Sequence, residues 1–136
     1  MQYLPADNGA KGWAQQRLGW PAMPVCKGIM AVEEDRIHAV SLYEQFMGKA
    51  CVMHCVVENP RVLWTAKRVI FDYPFTHCNY NLILTFTPFL NIRSRDIQKA
   101  LGFKEVAVID DACEDGQPIV IHKMTRSDCR WLRRRN

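Results

Sequence analysis

The sequence predicts one α/β unit: a central mixed sheet, mostly antiparallel, with a parallel strand pair near its middle and helices on its flanks. Three observations predict it. First, Gly28-Ile29-Met30-Ala31-Val32 and Arg36-Ile37-His38-Ala39-Val40-Ser41-Leu42-Tyr43 read as a hairpin around the acidic turn Glu33-Glu34-Asp35. Second, an apolar strand at 50–57 is followed by a helical pattern and then by another strand at 82–87, and strands of one sheet joined through a helix run parallel. Third, 136 residues with 49% apolar and 24% charged side chains suit one hydrophobic core and are too few for two.

The elements follow in order. Residues 1–27 carry Pro5, Gly9, Gly12, Gly19, Pro21 and Pro24, so only about Lys11–Leu18 is a helical candidate and the rest of the segment stays undefined. After the hairpin and Gly48, Ala50–Val57 is almost wholly apolar and rich in valine, as a central strand covered on both faces should be. Asn59-Pro60 ends that strand. Leu63, Ala66 and Ile70 then recur at helical spacing over Leu63–Phe71, and Pro74 is expected to stop the helix. Leu82–Thr87 is the next strand, and Arg93–Leu101 is a second helix closed by Gly102 as a left-handed cap. Lys104–Ile109 and Pro118–His122 alternate as strands around the polar turn 110–116, and a C-terminal helix from about Ser127 completes the set.

Charge and cysteine content exclude several classes. Residues 123–136 hold six basic residues and one acid, so the net +4 belongs to the tail and residues 1–122 sum to −1. A basic face that tracks a phosphate backbone is therefore not indicated. The Arg133–Arg135 run reads either as a contact for nucleic acid or an acidic partner, or as cations at a solvated helix end, the blander reading and the favoured one. His54, Lys67, Asp72, His77 and Asn81 interrupt the apolar regions well short of the roughly 18 residues a membrane helix needs. The start lacks the basic and apolar regions of a signal peptide, so a cytoplasmic protein is expected. Cys26, Cys51, Cys55, Cys78, Cys113 and Cys129 contain no C-x-x-C pair and read as free thiols. In a strand, Cys51 and Cys55 share a face that His54 does not, so no metal site is expected.

The stretch Asn91-Ile92-Arg93-Ser94-Arg95-Asp96-Ile97-Gln98-Lys99-Ala100-Leu101-Gly102-Phe103 resembles the GNAT N-acetyltransferases, where an asparagine follows the fifth strand, a small residue stands three positions on, and Leu-Gly-Phe ends the helix. Lys104–Ile109, Asp115-Gly116 and Ile119–Met124 look like the closing hairpin of that family. The resemblance covers roughly residues 28–132 and is closest to the branch that acetylates ribosomal-protein amino termini and to its small phage-type members. It implies a single GNAT-like domain over residues 1–136, with the central parallel pair splayed, 1–27 as its poorly defined start and 126–136 as a basic helix or tail.

Open α/β sheets take ligands at the carboxyl ends of a parallel pair, which places the site beyond Val57 and Leu90, and the resemblance implies acetyl-CoA as its cofactor. The family's coenzyme A signature is Gln or Arg, two residues, Gly, one residue, then Gly or Ala, between the fourth strand and its helix; Arg61-Val62-Leu63-Trp64-Thr65-Ala66 takes that place. Arg61 and Ala66 satisfy it, and Thr65 lies within it. Trp64 stands where the first glycine belongs, and it either crowds the loop or packs its ring against the cofactor. Glycine there lets helix N-terminal amides approach a pyrophosphate. The pantetheine arm would take strand-like backbone bonds from near Val56 and Val57 and a contact from Asn91, with Ser94 nearby. Asn91 reads equally as a turn residue and Ser94 as a helix-start residue.

Acetyl transfer needs a neutral amine, a donor for the developing oxyanion and an acid for the departing thiolate. Many members of the family place a tyrosine acid where this chain has Gln98, which has no useful pKa. Ser94 could then carry a proton or place a water. His54 is the leading candidate base because imidazole titrates near neutrality, Glu58 is the second, and a histidine bonded within the sheet is the plainer reading of His54. Tyr43, Tyr73 and His77 are candidates for an acceptor cleft, although Tyr73-Pro74-Phe75 reads more simply as a packed helix end. The expected function is transfer of acetyl to a primary amine, on a protein terminus, a lysine or a small molecule. The alternatives are a catalytically degenerate interaction or virion-associated protein, and nucleic-acid contact through the tail. A homodimer is left open, and host cytoplasm or virion would be the setting of a phage-type protein.

Overall fold

The structure, a computed structural model, describes residues 1–19 and 26–132. Its strands are β1 (Gln2–Pro5), β2 (Lys27–Glu33), β3 (Arg36–Phe46), β4 (Ala50–Val57), β5 (Leu82–Pro88), β6 (Lys104–Ile109) and β7 (Ile119–Thr125). The helices are α1 (Asn8–Leu18), α2 (Pro60–Asp72) and α3 (Ile92–Leu101). One seven-stranded sheet runs β1-β2-β3-β4-β5-β7-β6, antiparallel throughout except at β4–β5. The expected α/β architecture is this mixed sheet.

The β2–β3 hairpin turns at Glu34 and Asp35, both with positive φ (54° and 60°). That conformation matches the twist of the flanking strands, and Asp tolerates it better than most residues. Along β3 and β4, alternate side chains separate the two faces of the sheet. Tyr43, Cys51 and Met53 face a core built with Leu63, Ala66, Ile70 and Phe71 of α2 and with Leu101 and Phe103. Val40 and Leu42 face the other way, where Ala10 and Ala14 of α1 cover them. The valine-rich β4 is covered on both faces, as its composition implies.

Three expectations change. The first 19 residues are ordered: Gln2–Pro5 adds an edge strand to β2, and Asp7 caps α1 by accepting from the Ala10 amide at 2.7 Å. The α-helix ends at Asp72, but Pro74 does not end the helical path. Past Asp72 it continues as a π-helical turn, Tyr73–His77, whose buried Pro74 and Phe75 close the core. No C-terminal helix begins at Ser127: residues 126–132 form turns. Their side chains explain why. Arg126 donates to the Tyr80 carbonyl at 2.8 Å, Arg130 to that of Ala100 at 2.7 Å, and the Trp131 indole to that of Leu101 at 2.9 Å. The last two carbonyls lie at the open end of α3, so these side chains satisfy groups a helix leaves without partners. Arg133–Arg135 lie outside the described residues.

Candidate active site

Strands β4 and β5 pair over only Ala50↔Leu82, Cys51↔Ile83 and Val52↔Leu84. Beyond Val52 and Leu84 no pairing joins them, although β4 runs on to Val57 and β5 to Pro88. Each strand keeps its outer neighbour, β3 for β4 and β7 for β5, so the gap leaves two inner edges facing one another. A central sheet edge without a partner presents backbone donors and acceptors to whatever fills the gap. Here the gap opens as a cleft of about 480 Å³ at the carboxyl ends of both strands, the place where open α/β sheets take ligands.

Residues 53–60, Thr85–Pro88, Asn91, Ser94 and Gln98 line this cleft, with Met53, Leu63, Ile97, Leu101 and Phe103 as apolar wall and Arg17 and Arg93 as cations. The structure thus brings His54, Val56, Val57, Glu58, Asn91 and Ser94 together. Asn91 is the N-cap of α3 and accepts from the Ser94 amide at 3.2 Å, so its turn role and its place at the cleft coexist.

Of the stretch 61–66, only Leu63 lines the cleft. The expectation of a loop there is overturned because Asn59 and Pro60 start α2 before Arg61. Asparagine at the N-cap and proline at the first helical position are strong start signals. Asn59 Oδ1 accepts from the Arg61 amide at 3.0 Å and the Val62 amide at 3.4 Å, so the amides at this helix end already have a side-chain partner. Arg61, Trp64, Thr65 and Ala66 do not line the cleft. Ala66 is core, the Thr65 hydroxyl donates to the Arg61 carbonyl, and Trp64 lies against Trp131 with Lys67 over both rings.

His54 is buried and its Nε2 stands 2.5 Å from Glu44 Oε2. The pair follows from the register: His54 faces Leu42 across the ladder, and Glu44 is the diagonal neighbour on the same face. Glu58 has both oxygens engaged, Oε1 by Arg36 and Oε2 by His38 Nδ1 at 2.8 Å. Burial pushes its pKa up, but the bonds from His38 and Arg36 outweigh that and hold it below the usual carboxylate range. Tyr43 is buried in the core with its hydroxyl donating to the Ile70 carbonyl at 2.5 Å. Tyr73 and His77 line a separate groove with Tyr3, Ile29 and Asp72, away from the cleft.

Sequence reasoning missed a polar cluster on the α3 side of the gap. Gln98, only 8% exposed, donates from Nε2 to Thr87 Oγ1 at 2.7 Å and to Ser94 Oγ at 3.1 Å, while its Oε1 accepts from Thr85. The i, i+4 spacing of Ser94 and Gln98 and the i, i+2 spacing of Thr85 and Thr87 carried half of that signal each. Joining the halves required knowing that α3 covers β5.

No protein-family model matches the chain, and no curated protein matches it. Solved structures do resemble it. A chimera of the spermidine N-acetyltransferase SpeG from Vibrio cholerae and hSSAT superposes with a TM-score of 0.77 over 93% of this chain and 98% of its own, at 9% identity. A point mutant of Vibrio cholerae SpeG gives 0.68 over 77% and 67%, at 12% identity. A GNAT-family acetyltransferase from Bacillus anthracis gives 0.60 over 75% and 66%, at 11% identity. At these identities the likeness concerns the backbone, and the chain has the fold of the GNAT acetyltransferases.

Proposed function

We propose that the protein is an N-acetyltransferase that binds acetyl-CoA in the cleft between β4 and β5 and transfers acetyl to a primary amine. The observation that carries this reading is the splay itself. Loss of pairing after Val52 and Leu84 leaves an open backbone edge at Met53–Val57, the feature an extended pantetheine arm would need for strand-like hydrogen bonds. The apolar wall suits the arm's methylenes, and Arg17 and Arg93 suit its phosphates. The pyrophosphate end fits less closely: the amides at the start of α2 are held by Asn59, which would have to share or release them. Bound acetyl-CoA would supply the activated acyl group.

In this reading Val56 and Val57 hold the arm and Asn91 contacts it at the α3 end. Arg61 and Thr65 lie on the turn above Asn59, where they would contact only the outer part of the cofactor. His54, its ring held by Glu44 through Nε2, takes the proton from the incoming amine. Glu58, held ionised by Arg36 and His38, anchors the cleft mouth and has little capacity to take a proton. Ser94 is a hydroxyl at the reacting end.

Calorimetric titration with acetyl-CoA tests the reading, followed by acetylation of a panel holding peptide amino termini, lysine and polyamines such as spermidine. Binding below millimolar concentration with transfer to one of these supports it; no binding sinks it. The acceptor class, the kinship with the ribosomal-protein branch and phage-type members, and a cytoplasmic or virion setting belong to the same proposal. A second reading, a GNAT-fold interaction protein without turnover, draws on the Asn59 cap and on glutamine at position 98. It predicts binding without transfer, or neither.

A further inference from the structure

The Gln98 cluster is placed where the reading above requires a donor, and its hydrogen bonds run in one direction. A primary amide has two N–H donors and one carbonyl acceptor. In the observed orientation all three are used: the two N–H groups on Thr87 Oγ1 and Ser94 Oγ, the carbonyl on the Thr85 hydroxyl. The flipped orientation would give Thr85 one N–H and leave the other without a partner in a buried site, at a cost of about 1–3 kcal/mol. Chemistry therefore selects the orientation seen.

That orientation has a consequence for the two hydroxyls. Each already accepts from Gln98, so each must direct its own hydrogen elsewhere. Among the described residues neither the Thr87 nor the Ser94 hydroxyl donates to any other group. Both oxygens are within hydrogen-bond reach of one nitrogen, and both residues line the cleft at the carboxyl end of β5. Thr87 is 4% exposed, so its hydrogen has little access to bulk water.

We infer that Gln98 is a positioning residue that turns the Thr87 and Ser94 hydroxyls into a pair of hydrogen-bond donors for the acyl oxygen of a thioester in the cleft. Thr87 is the new member of the site. The inference rests on the acetyl-CoA reading and deepens it, since it names what recognises the acetyl group as distinct from the coenzyme. It also accounts for glutamine at this position: a side chain that donates twice and accepts once holds two hydroxyls in one sense, which a carboxylate could not. No bond to the substrate is made or broken by Gln98.

The experiment compares affinities for two probes, coenzyme A and acetyl-CoA, in wild type, Thr87→Val, Thr87→Ser and Gln98→Glu, by calorimetry, with thermal unfolding run beside it. Wild type should prefer acetyl-CoA. Thr87→Val should keep coenzyme A affinity within about twofold and lose most of an acetyl preference of about tenfold, and Thr87→Ser should restore it. Gln98→Glu reverses the bonds, because a carboxylate accepts from both hydroxyls. It should remove the preference near neutral pH and regain part of it once the carboxyl is protonated, a response loss of fold would not produce. Equal affinity of wild type for both probes, or an unchanged ratio in Thr87→Val, overturns the inference and leaves the acetyl-CoA reading standing. Failure of wild type to bind either probe removes both.

Discussion

Trp64 meets Trp131 edge to face, with ring centroids 5.8 Å apart and planes at 80°, and the Lys67 ammonium lies over both rings at 5.0 and 4.7 Å. The contact fastens the turns after β7 onto α2. The Trp131 indole, bonded to the Leu101 carbonyl, carries that fastening on to the end of α3. Position 64, where a coenzyme loop would need glycine, here serves to join two helices through the C-terminal segment.

Trp64→Ala should therefore lower stability by about 1–2 kcal/mol, the sum of an aromatic pair and partial burial, and, under the proposed function, leave coenzyme A affinity within about twofold. Urea unfolding and calorimetry measure the two effects separately. A large loss of affinity with unchanged stability would instead place the indole against the cofactor.

Gly28 offers a sharper test of how closely the N-terminal segment sits on the sheet. The Ala6 amide donates to the Gly28 carbonyl at 2.9 Å, and a Cβ at position 28 would meet Leu42 Cδ2 at 2.8 Å and both Ala6 Cβ and the Ser41 carbonyl oxygen at 3.0 Å. The leucine can turn aside, but a backbone carbonyl within a ladder cannot. Gly28→Ala should cost about 1–3 kcal/mol. Gly12→Ala, inside α1 with nothing within 4 Å of the new Cβ, should gain about 0.5–1 kcal/mol. Equal effects at the two positions would contradict this packing.

The contrast shows which parts of the molecule could be read from the chain. Period-2 alternation and the Glu34-Asp35 turn carry the hairpin, and valine enrichment carries β4, because local pattern and burial agree there. Gln2–Pro5 stayed hidden: an edge strand of four residues containing proline and glutamine has almost no pattern of its own, and its pairing with β2 supplies the order. The C-terminal helix was misread because Arg126, Arg130 and Trp131 look like a helix face, whereas their partners are carbonyls at Tyr80, Ala100 and Leu101. At the cleft, Asn59-Pro60 already held the helix start that displaces residues 61–66 from a loop. The same two residues end β4 and start α2, so one signal carries both boundaries. The Gln98 cluster joins residues from two elements, so no single window of sequence contains it.

The cysteines of β4 should be chemically silent in the folded protein. Burial pushes the Cys51 thiol up to about 12, with Cys78 adding to the shift, and burial likewise takes Cys55 to about 12 despite the opposing influence of Ser41 across the ladder. At pH 8 the thiolate fraction of such a group is roughly 10⁻⁴, and the thiolate is the nucleophile. Iodoacetamide followed by peptide mass analysis should leave Cys51 and Cys55 unmodified in native buffer and label both in urea. Early native labelling at Cys51 would mean that the β4–β5 end of the core opens.

His122 should give the fold a pH dependence of known sign. It is 2% exposed on β7, opposite Thr85 on one side and Glu105 on the other, and its Nδ1 has no partner among the described residues. Burial lowers its pKa from 6.5, with Glu105 opposing the shift and Arg95 adding to it. The folded chain thus resists a proton that the unfolded chain accepts. Stability from this group is complete above the unfolded value of 6.5 and is lost as pH falls from there through the folded value. Urea unfolding at about pH 7.5 and about pH 5.5, on wild type and His122→Gln, isolates the effect because every other titrating group is shared. Wild type should lose more stability than the variant over that interval. A parallel fall in both would show that His122 takes its proton as readily folded as unfolded.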